Sequence, residues 1–253
     1  MYPTLFTLGE IGIRSSVVFL VLGIIAGILL GWREARRVGI SDREFHLYWI
    51  SAIPLALLFG VLNGLIFRVG FWNALDNLEH ALSNGLVSFG AALGLLLWGY
   101  LLFSKLSKFK KPIGLVLDTI SLILPLILGI YRIGCLLNGC CHGLETDSIF
   151  GIVLPGAFGI WAKRFPTQIM LMVFNFALFA WLWSRREKKA FEGSLTFSFL
   201  IIYSFGRLLI DSLRTLPRVL GPFSLHQLTS IAILLITIYI YFEYWMAKRS
   251  QSE

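Results

Sequence analysis

Charged residues are scarce in this chain: Asp, Glu, Lys and Arg make up 14% of its 253 residues, against roughly a quarter in an ordinary soluble domain. Hydrophobic residues make up 57%. Too few polar side chains remain to cover a water-soluble globule, which excludes a soluble enzyme or a soluble binding module. The chain also lacks internal repeats, low-complexity stretches and long linkers. We therefore expect one integral membrane domain over residues 1–253.

Cysteine is also rare, and the three cysteines lie in one short segment. A secreted disulfide framework spreads cysteine pairs around a small domain, which Cys135, Cys140 and Cys141 do not do. A disulfide between the neighbours Cys140 and Cys141 would be strained, and one between Cys135 and Cys140 requires the loop to turn back. The sequence therefore predicts no disulfide framework.

Long hydrophobic stretches are what the chain has in abundance. A stretch of about 20 apolar residues crosses the roughly 30 Å hydrocarbon core as a helix, because lipid offers no partners to backbone polar groups. The sequence predicts an all-α, polytopic membrane bundle of about seven transmembrane helices. The predicted spans are Ser15–Gly31, Leu47–Phe67, Gly85–Phe103, Ile113–Gly129, Gln168–Trp183, Leu195–Leu213 and Leu228–Met246.

The basic residues predict the orientation of these spans, because Lys and Arg accumulate in short cytoplasmic loops. They follow the first, third, fifth and seventh spans, which predicts an amino terminus outside and a carboxyl terminus in the cytoplasm. This topology and contact with anionic headgroups explain the net charge of +8, so we expect no nucleic-acid partner. The clusters are Arg33, Arg36, Arg37 and Arg43, then Lys105, Lys108, Lys110 and Lys111, then Arg185, Arg186, Lys188 and Lys189, then Lys248 and Arg249.

A few polar residues remain at or near membrane depth. An ionisable residue costs at least about 2.5–3.5 kcal/mol at the bilayer centre on insertion scales, so it persists there when it faces protein, water or a ligand. Arg207, Asp211 and Arg214 share one helical stripe, at a depth similar to that of Arg132. Two arginines from different helices, steadied by an aspartate, suit bidentate binding of a phosphate. The complete set is Asp118, Arg132, Asn138, Arg207, Asp211 and Arg214.

Structural roles stay open for some of these residues. A structural role would explain Asp211 equally well: its carboxylate would neutralise Arg207 or Arg214 and tie two helices together. Arg214 lies near the end of its span, where its long side chain reaches water. Asp118 fits either a helix contact near Thr119 or a place in a site.

The segment Tyr131–Gly143 contains an arginine, an asparagine, all three cysteines and a histidine. Thiol and imidazole ligands suit zinc or copper, but structural zinc sites use separated pairs of ligands, so we predict no metal site. A nucleophilic cysteine assisted by His142 is a second hypothesis, although no cysteine is singled out. A tight turn built from small residues is the third, with Gly134, Gly139 and Gly143.

The run from Arg132-Ile133-Gly134-Cys135 through Asn138-Gly139 to Gly143 resembles the signature of prolipoprotein diacylglyceryl transferases. The resemblance continues in order along nearly every span. The seven-helix topology of this family, with its amino terminus outside, agrees with the charge pattern. The further matching segments are Pro3–Arg14, Asn84–Gly94, Phe165-Pro166-Thr167-Gln168, Tyr203–Arg214 and Ser224–Ser230.

The resemblance implies an enzyme of lipoprotein biosynthesis in the bacterial plasma (inner) membrane. Such an enzyme transfers a diacylglyceryl group from phosphatidylglycerol, or another anionic phospholipid, to the lipobox cysteine of a preprolipoprotein signal peptide, without a cofactor. Arg132, Arg207 and Asp211 would be catalytic, with His142 as a substitute base. The residues expected to bind the headgroup are Arg132, Gly134, Asn138, Gly139, Arg207, Arg214 and Gln227.

The chain departs from the family pattern at positions that concern thiol activation. A thiol of pKa about 8.5 needs a base or a strong field, and the usual partners are replaced while the arginines are kept. A non-catalytic or altered-substrate protein that binds or moves anionic lipids or small anions is therefore the alternative, and a thiol-redox or metal protein is the third hypothesis. Phe89 and Phe165 stand where the family has histidines, and Cys135 stands where it has an asparagine. Cys140 and Asp211 stand where it has glutamates.

Overall fold

The computed structural model describes residues 2–9, 11–64, 88–105, 112–155 and 160–250. The described residues form helices and three short antiparallel hairpins. The helices are α1 (Ser15–Arg37), α2 (Asp42–Gly64), α3 (Ser88–Lys105), α4 (Ile113–Leu137), α5 (Thr167–Arg185), α6 (Ser194–Asp211) and α7 (Leu225–Ser250). The strands are β1 (Thr4–Leu8), β2 (Ile11–Arg14), β3 (Ile152–Pro155), β4 (Trp161–Arg164), β5 (Arg218–Leu220) and β6 (Phe223–Ser224), paired in that order.

Among the described residues, α1, α4, α5, α6 and α7 are long and apolar enough to cross a membrane. The chain is thus a multi-pass membrane helical bundle, as the sequence predicts. In its most apolar window, α4 is 67% buried whereas α7 is 17% buried. The exposed face of α7 carries large apolar side chains such as Leu235, Ile236 and Tyr239, which is the composition that lipid contact requires.

Every predicted span overlaps a helix over its described part, and several helices extend beyond the predicted span, as α1 does by continuing past Gly31 to Arg37. The fourth span was expected to end at Gly129, and α4 instead continues to Leu137. Arg132 is 4% exposed and Cys135 is fully buried, so these residues face protein and the helix continues through them. The end of the second predicted span, at Phe67, and the start of the third, at Gly85, lie outside the described residues.

Two compact units divide the chain. The first, here called the hairpin unit, comprises Met1–Gly27, Pro125–Glu187 and Phe197–Glu253 and holds all the described strands. The second unit comprises Ile28–Leu124 and Lys188–Thr196. Helices α1, α4 and α6 each contribute residues to both units, and the expectation of one domain stays a prediction.

Asp118 has a structural role within the second unit. Its buried carboxylate accepts hydrogen bonds from the backbone N–H groups of Gly193 and Thr196, each at 3.0 Å. Lys189 Nζ lies 3.2 Å from the same carboxylate. These are the backbone groups that a helix leaves without an internal partner at its start, so a residue of α4 caps α6. Thr119, the neighbour expected from the sequence, instead donates to the Leu115 carbonyl.

Candidate active site

Asp211 pairs with two arginines at the end of α6. Its Oδ2 lies 2.9 Å from Nη2 of Arg207, and its Oδ1 accepts a 3.0 Å hydrogen bond from Nη1 of Arg214. All three residues are buried, with Arg207 and Asp211 each 2% exposed. Both ion pairs lie within one segment of chain, so they do not tie two helices together. Asp211 instead fixes the position of both guanidinium groups.

Several guanidinium donors remain available in this group. Nε and Nη1 of Arg207 and Nε of Arg214 are buried without a hydrogen-bond partner among the described residues. A buried donor left without an acceptor costs about 1–3 kcal/mol, and more when it is charged. A bound ligand that accepts hydrogen bonds from these donors would remove this free-energy cost. An oxyanion is the acceptor that matches a guanidinium group.

Arg132 adds a third positive charge from α4. It interacts electrostatically with Arg207, its guanidinium lies over the Tyr131 ring at 5.3 Å from the centroid, and its Nη1 is 3.6 Å from Cys135 Sγ. Asp211 supplies the carboxylate that pairs with Arg207 and Arg214. We call Arg132, Arg207, Asp211 and Arg214 the arginine cluster, and its charge balance favours an anion.

The chain turns sharply where α4 ends. Gly139 N–H donates to the Leu136 carbonyl at 3.1 Å and Cys140 N–H to the Cys135 carbonyl at 3.2 Å. This is the Schellman pattern, which needs a left-handed residue just past the helix, and Gly139 has φ +69°. Asn138 is half-buried at this turn. The tight turn is present at Gly139, whereas Gly134 lies inside α4, and the turn brings Cys140 back over the last turn of α4.

The segment that begins α5 holds this loop in place. Thr167 Oγ1 donates to the Cys141 carbonyl and Gln168 Nε2 to the Cys140 carbonyl, each at 2.8 Å. Gly143 N–H donates to the Phe165 carbonyl at 3.1 Å. Sequence reasoning did not place Thr167 or Gln168 in the site. The available signal was the family-like segment Phe165-Pro166-Thr167-Gln168, which puts two polar residues at the start of an apolar span.

The same loop reaches the end of α6. Leu144 N–H donates to the Leu213 carbonyl at 2.8 Å, and Gly143 forms a β-bridge with Arg214. A Cβ atom at Gly143 would lie 2.5 Å from the Phe165 carbonyl oxygen, so only glycine fits here. Three segments that are distant in sequence therefore meet around the arginine cluster.

The three cysteines lie together beside Arg132. Their Sγ atoms are all within 4.8 Å of one another, and all three thiols are free. Cys141 has φ +63° and is the one non-glycine residue with positive φ in the described part of the chain. Hydrogen bonds from Cys135 and Cys140, with the charges of Arg214 and Arg132, hold the pKa of the Cys141 thiol well below its ordinary value. Hydrogen bonding to Cys135 raises the pKa of the Cys140 thiol.

The other predicted site residues have local roles in the structure. Gly134 lies against α1, where a Cβ atom would be 2.8 Å from Ser16 Cα. Gln227 Oε1 accepts from Ser224 N–H at 2.9 Å, and Gln227 N–H donates to Ser224 Oγ at 3.3 Å, which is a capping box at the start of α7. His142 Nδ1 lies 3.4 Å from the Gly143 carbonyl oxygen. The side chain of Phe89 is outside the described residues.

The chain is similar to known proteins over nearly its whole length. Residues 3–243 match the family described as prolipoprotein diacylglyceryl transferase. A phosphatidylglycerol–prolipoprotein diacylglyceryl transferase of Clostridioides difficile (strain 630) is 31% identical over 229 residues, covering 89% of this chain and 88% of the relative. A protein named phosphatidylglycerol–prolipoprotein diacylglyceryl transferase 2, from Clostridium perfringens (strain 13 / Type A), is 34% identical over 250 residues, with 92% and 93% covered. The chain belongs to the prolipoprotein diacylglyceryl transferase family.

Proposed function

We propose that this protein transfers a diacylglyceryl group from phosphatidylglycerol to the lipobox cysteine of a preprolipoprotein signal peptide. The observation that carries the proposal is the buried arginine cluster, in which Arg207 keeps donors that no described residue accepts. An anionic phosphoester is the substrate group that these donors suit. The family match over residues 3–243 supports the same reaction.

The arginine cluster acts on the leaving group. The acceptor thiolate attacks the diacylglyceryl carbon, a C–S bond forms, and the C–O bond to phosphate breaks with its electron pair moving to the phosphate oxygen. Arg132 and Arg207 hold that phosphate and stabilise its growing charge, and Arg214 assists. Fixed donors of this kind are effective because they need no reorganisation during the reaction. Asp211 keeps Arg207 and Arg214 in position.

The acceptor thiol must lose its proton, and His142 is the proposed base. We infer that the imidazole proton is on Nδ1, since the Gly143 carbonyl oxygen, 3.4 Å from His142 Nδ1, only accepts hydrogen bonds. Nε2 is then the acceptor that takes the thiol proton. This assignment compensates for the replacement of the family's usual histidine and glutamate positions.

The remaining proposed headgroup residues act around the phosphate. Asn138 hydrogen-bonds the headgroup from the turn after α4, and Gln227 contributes the amide nitrogen that its capping box does not use. Gly134 and Gly139 shape the site by allowing close approach of α1 and reversal of the chain. We infer no metal and no cofactor for the transfer step.

The proposed setting is a bacterial plasma membrane crossed seven times, with the amino terminus outside. The basic clusters after alternate spans support this orientation. The hairpins and the turn after α4 then lie on the outer side with the arginine cluster. Phosphatidylglycerol enters from the bilayer, and the signal peptide of the preprolipoprotein is the second substrate.

The test is transfer by the purified protein in phosphatidylglycerol vesicles to a lipobox peptide, read as a diacylglyceryl mass increase on the cysteine. Arg132→Ala and Arg207→Ala should each abolish the product. Arg218→Ala is the matched control, because Arg218 is an exposed arginine of the same unit, and it should keep the activity. Lipid binding without any modified peptide would overturn the proposal in favour of anionic-lipid binding or transport. Complementation of a strain lacking the transferase gives an independent readout.

A further inference from the structure

The three thiols are close enough to hold one ion. Their Sγ atoms lie within 4.8 Å of one another, and three sulfurs bound in a plane to a single ion at about 2.3 Å each are about 4.0 Å apart. Closing the cluster onto an ion therefore needs the longest sulfur–sulfur separation to shorten by about 0.8 Å at most. The Cys140 and Cys141 side chains are partly exposed, and rotation about their Cα–Cβ bonds moves these two sulfurs.

The donor set selects the type of ion. The group consists of three cysteines, and no His, Asp or Glu among the described residues joins it. Structural zinc sites need four ligands, whereas three thiolates complete the coordination of the soft monovalent ion Cu(I). The paired spacing of structural zinc ligands does not apply to a site of three sulfurs.

The loop brings the sulfurs together before any ion binds. Cys141 adopts φ +63°, a conformation that residues with a side chain adopt at a cost. Thr167 and Gln168 hold the Cys141 and Cys140 carbonyls from α5. Cys135 is fixed in the last turn of α4, so each sulfur is anchored by a separate backbone constraint.

The surrounding charge also fits. Three thiolates around one Cu(I) carry a net charge of −2. Arg132 Nη1 lies 3.6 Å from Cys135 Sγ, and Arg132 and Arg214 both interact electrostatically with Cys141. Two guanidinium groups therefore offset the charge of the complex.

We propose that Cys135, Cys140 and Cys141 form a binding site for a soft thiophilic metal ion, Cu(I). Binding forms three Cu–S bonds, releases the thiol protons to solvent and leaves copper in the +1 state. The site goes beyond the transfer reaction and does not depend on it. Because Arg132 belongs to the arginine cluster and its Nη1 lies 3.6 Å from Cys135 Sγ, an occupied site would draw Arg132 toward sulfur and reduce transfer.

The test is anaerobic titration of the reduced, full-length protein with Cu(I), in competition with a coloured Cu(I) chelator. We expect one ion per chain, and X-ray absorption should show three sulfur neighbours. Cys135→Ser, Cys140→Ser and Cys141→Ser should each weaken binding more than about 100-fold, because loss of even an outer-shell partner costs about 10–100-fold. His142→Ala is the matched control and should keep the stoichiometry and affinity for copper.

Two results would overturn the proposal. One is no retention of Cu(I) against the chelator, or retention that survives all three serine variants. The other is a sulfur count below three in the X-ray absorption spectrum of the wild-type complex, a measurement that does not depend on any variant folding.

Discussion

Gln168 Nε2 donates a 2.8 Å hydrogen bond to the backbone carbonyl of Cys140. The two residues are 28 positions apart, and the contact connects the first turn of α5 to the turn that ends α4. Together with the Thr167 bond to Cys141, it fixes the loop beside the arginine cluster. Gln168 is thus a positioning residue, which acts through the loop and not on the substrate.

Gln168→Met removes this donor at nearly constant volume. We expect the free energy of unfolding to fall by about 1–3 kcal/mol, because the Cys140 carbonyl loses its partner. The transfer rate per folded molecule should fall as well, since the loop loosens. Ser184→Ala on the same helix is the control: it removes an exposed bond to the Trp181 carbonyl and should change neither quantity. Equal effects from the two variants would contradict a positioning role.

Asp211→Asn removes the carboxylate that pairs with Arg207 and Arg214. Breaking a buried ion pair on one side costs about 3–5 kcal/mol, so a marked loss of stability in denaturant titration is expected. Asp211→Glu keeps the charge and should be much milder. If the asparagine and glutamate variants unfold at the same denaturant concentration, charge pairing does not organise the arginine cluster.

Asp118→Ala removes the cap of α6. Loss of a helix cap costs about 0.5–2 kcal/mol, which should appear as a lower midpoint of thermal unfolding. Activity per folded molecule should be unchanged, because the described partners of the Asp118 carboxylate are Lys189, Gly193 and Thr196, which cap α6. Thr196→Ser keeps both the backbone donor and the hydroxyl and serves as the control. A loss of specific activity in folded Asp118→Ala protein would indicate a role at the site.

The rate of alkylation by iodoacetamide should distinguish Cys141 from Cys140 in the reduced, metal-free protein. The lowered pKa of Cys141 keeps its thiolate populated at pH values below those at which an ordinary thiol of pKa about 8.5 ionises. Its labelling should therefore persist as the pH falls, whereas Cys140, with a raised pKa, should label only at high pH. Peptide mapping by mass spectrometry measures both rates. Identical pH profiles would contradict the thiol arrangement.

Hydrophobicity alone predicted where the helices lie, because each span must satisfy its own backbone in lipid. Hydrophobicity did not predict the end of α4. Arg132 and Cys135 were expected in the loop after the fourth span, but both are buried against protein within the helix. The hairpins were not predicted either. Strands such as Ile152–Pro155 and Trp161–Arg164 are only four residues long, too short for a clear alternating pattern.

The arginines of the site could be found from the sequence because a charge within an apolar span is costly and therefore informative. Thr167 and Gln168 could not be found in this way. Their partners are backbone carbonyls of a distant loop, and no residue pattern marks a carbonyl as an acceptor. The short distances between the three sulfurs could not be predicted from the sequence either, because they depend on the left-handed turn at Gly139.

The cap that Asp118 provides also bears on how the chain enters the membrane. Of the five helices in the described part of the chain that are apolar enough to span it, α6 has the lowest mean hydropathy, 1.3, against 2.3 for α4. The ribosome makes α4 before α6, so the capping carboxylate has already been synthesised when residues 193–196 emerge. We expect the helix least able to enter lipid unaided to dock onto a neighbour that was inserted before it, so the order of synthesis favours correct assembly.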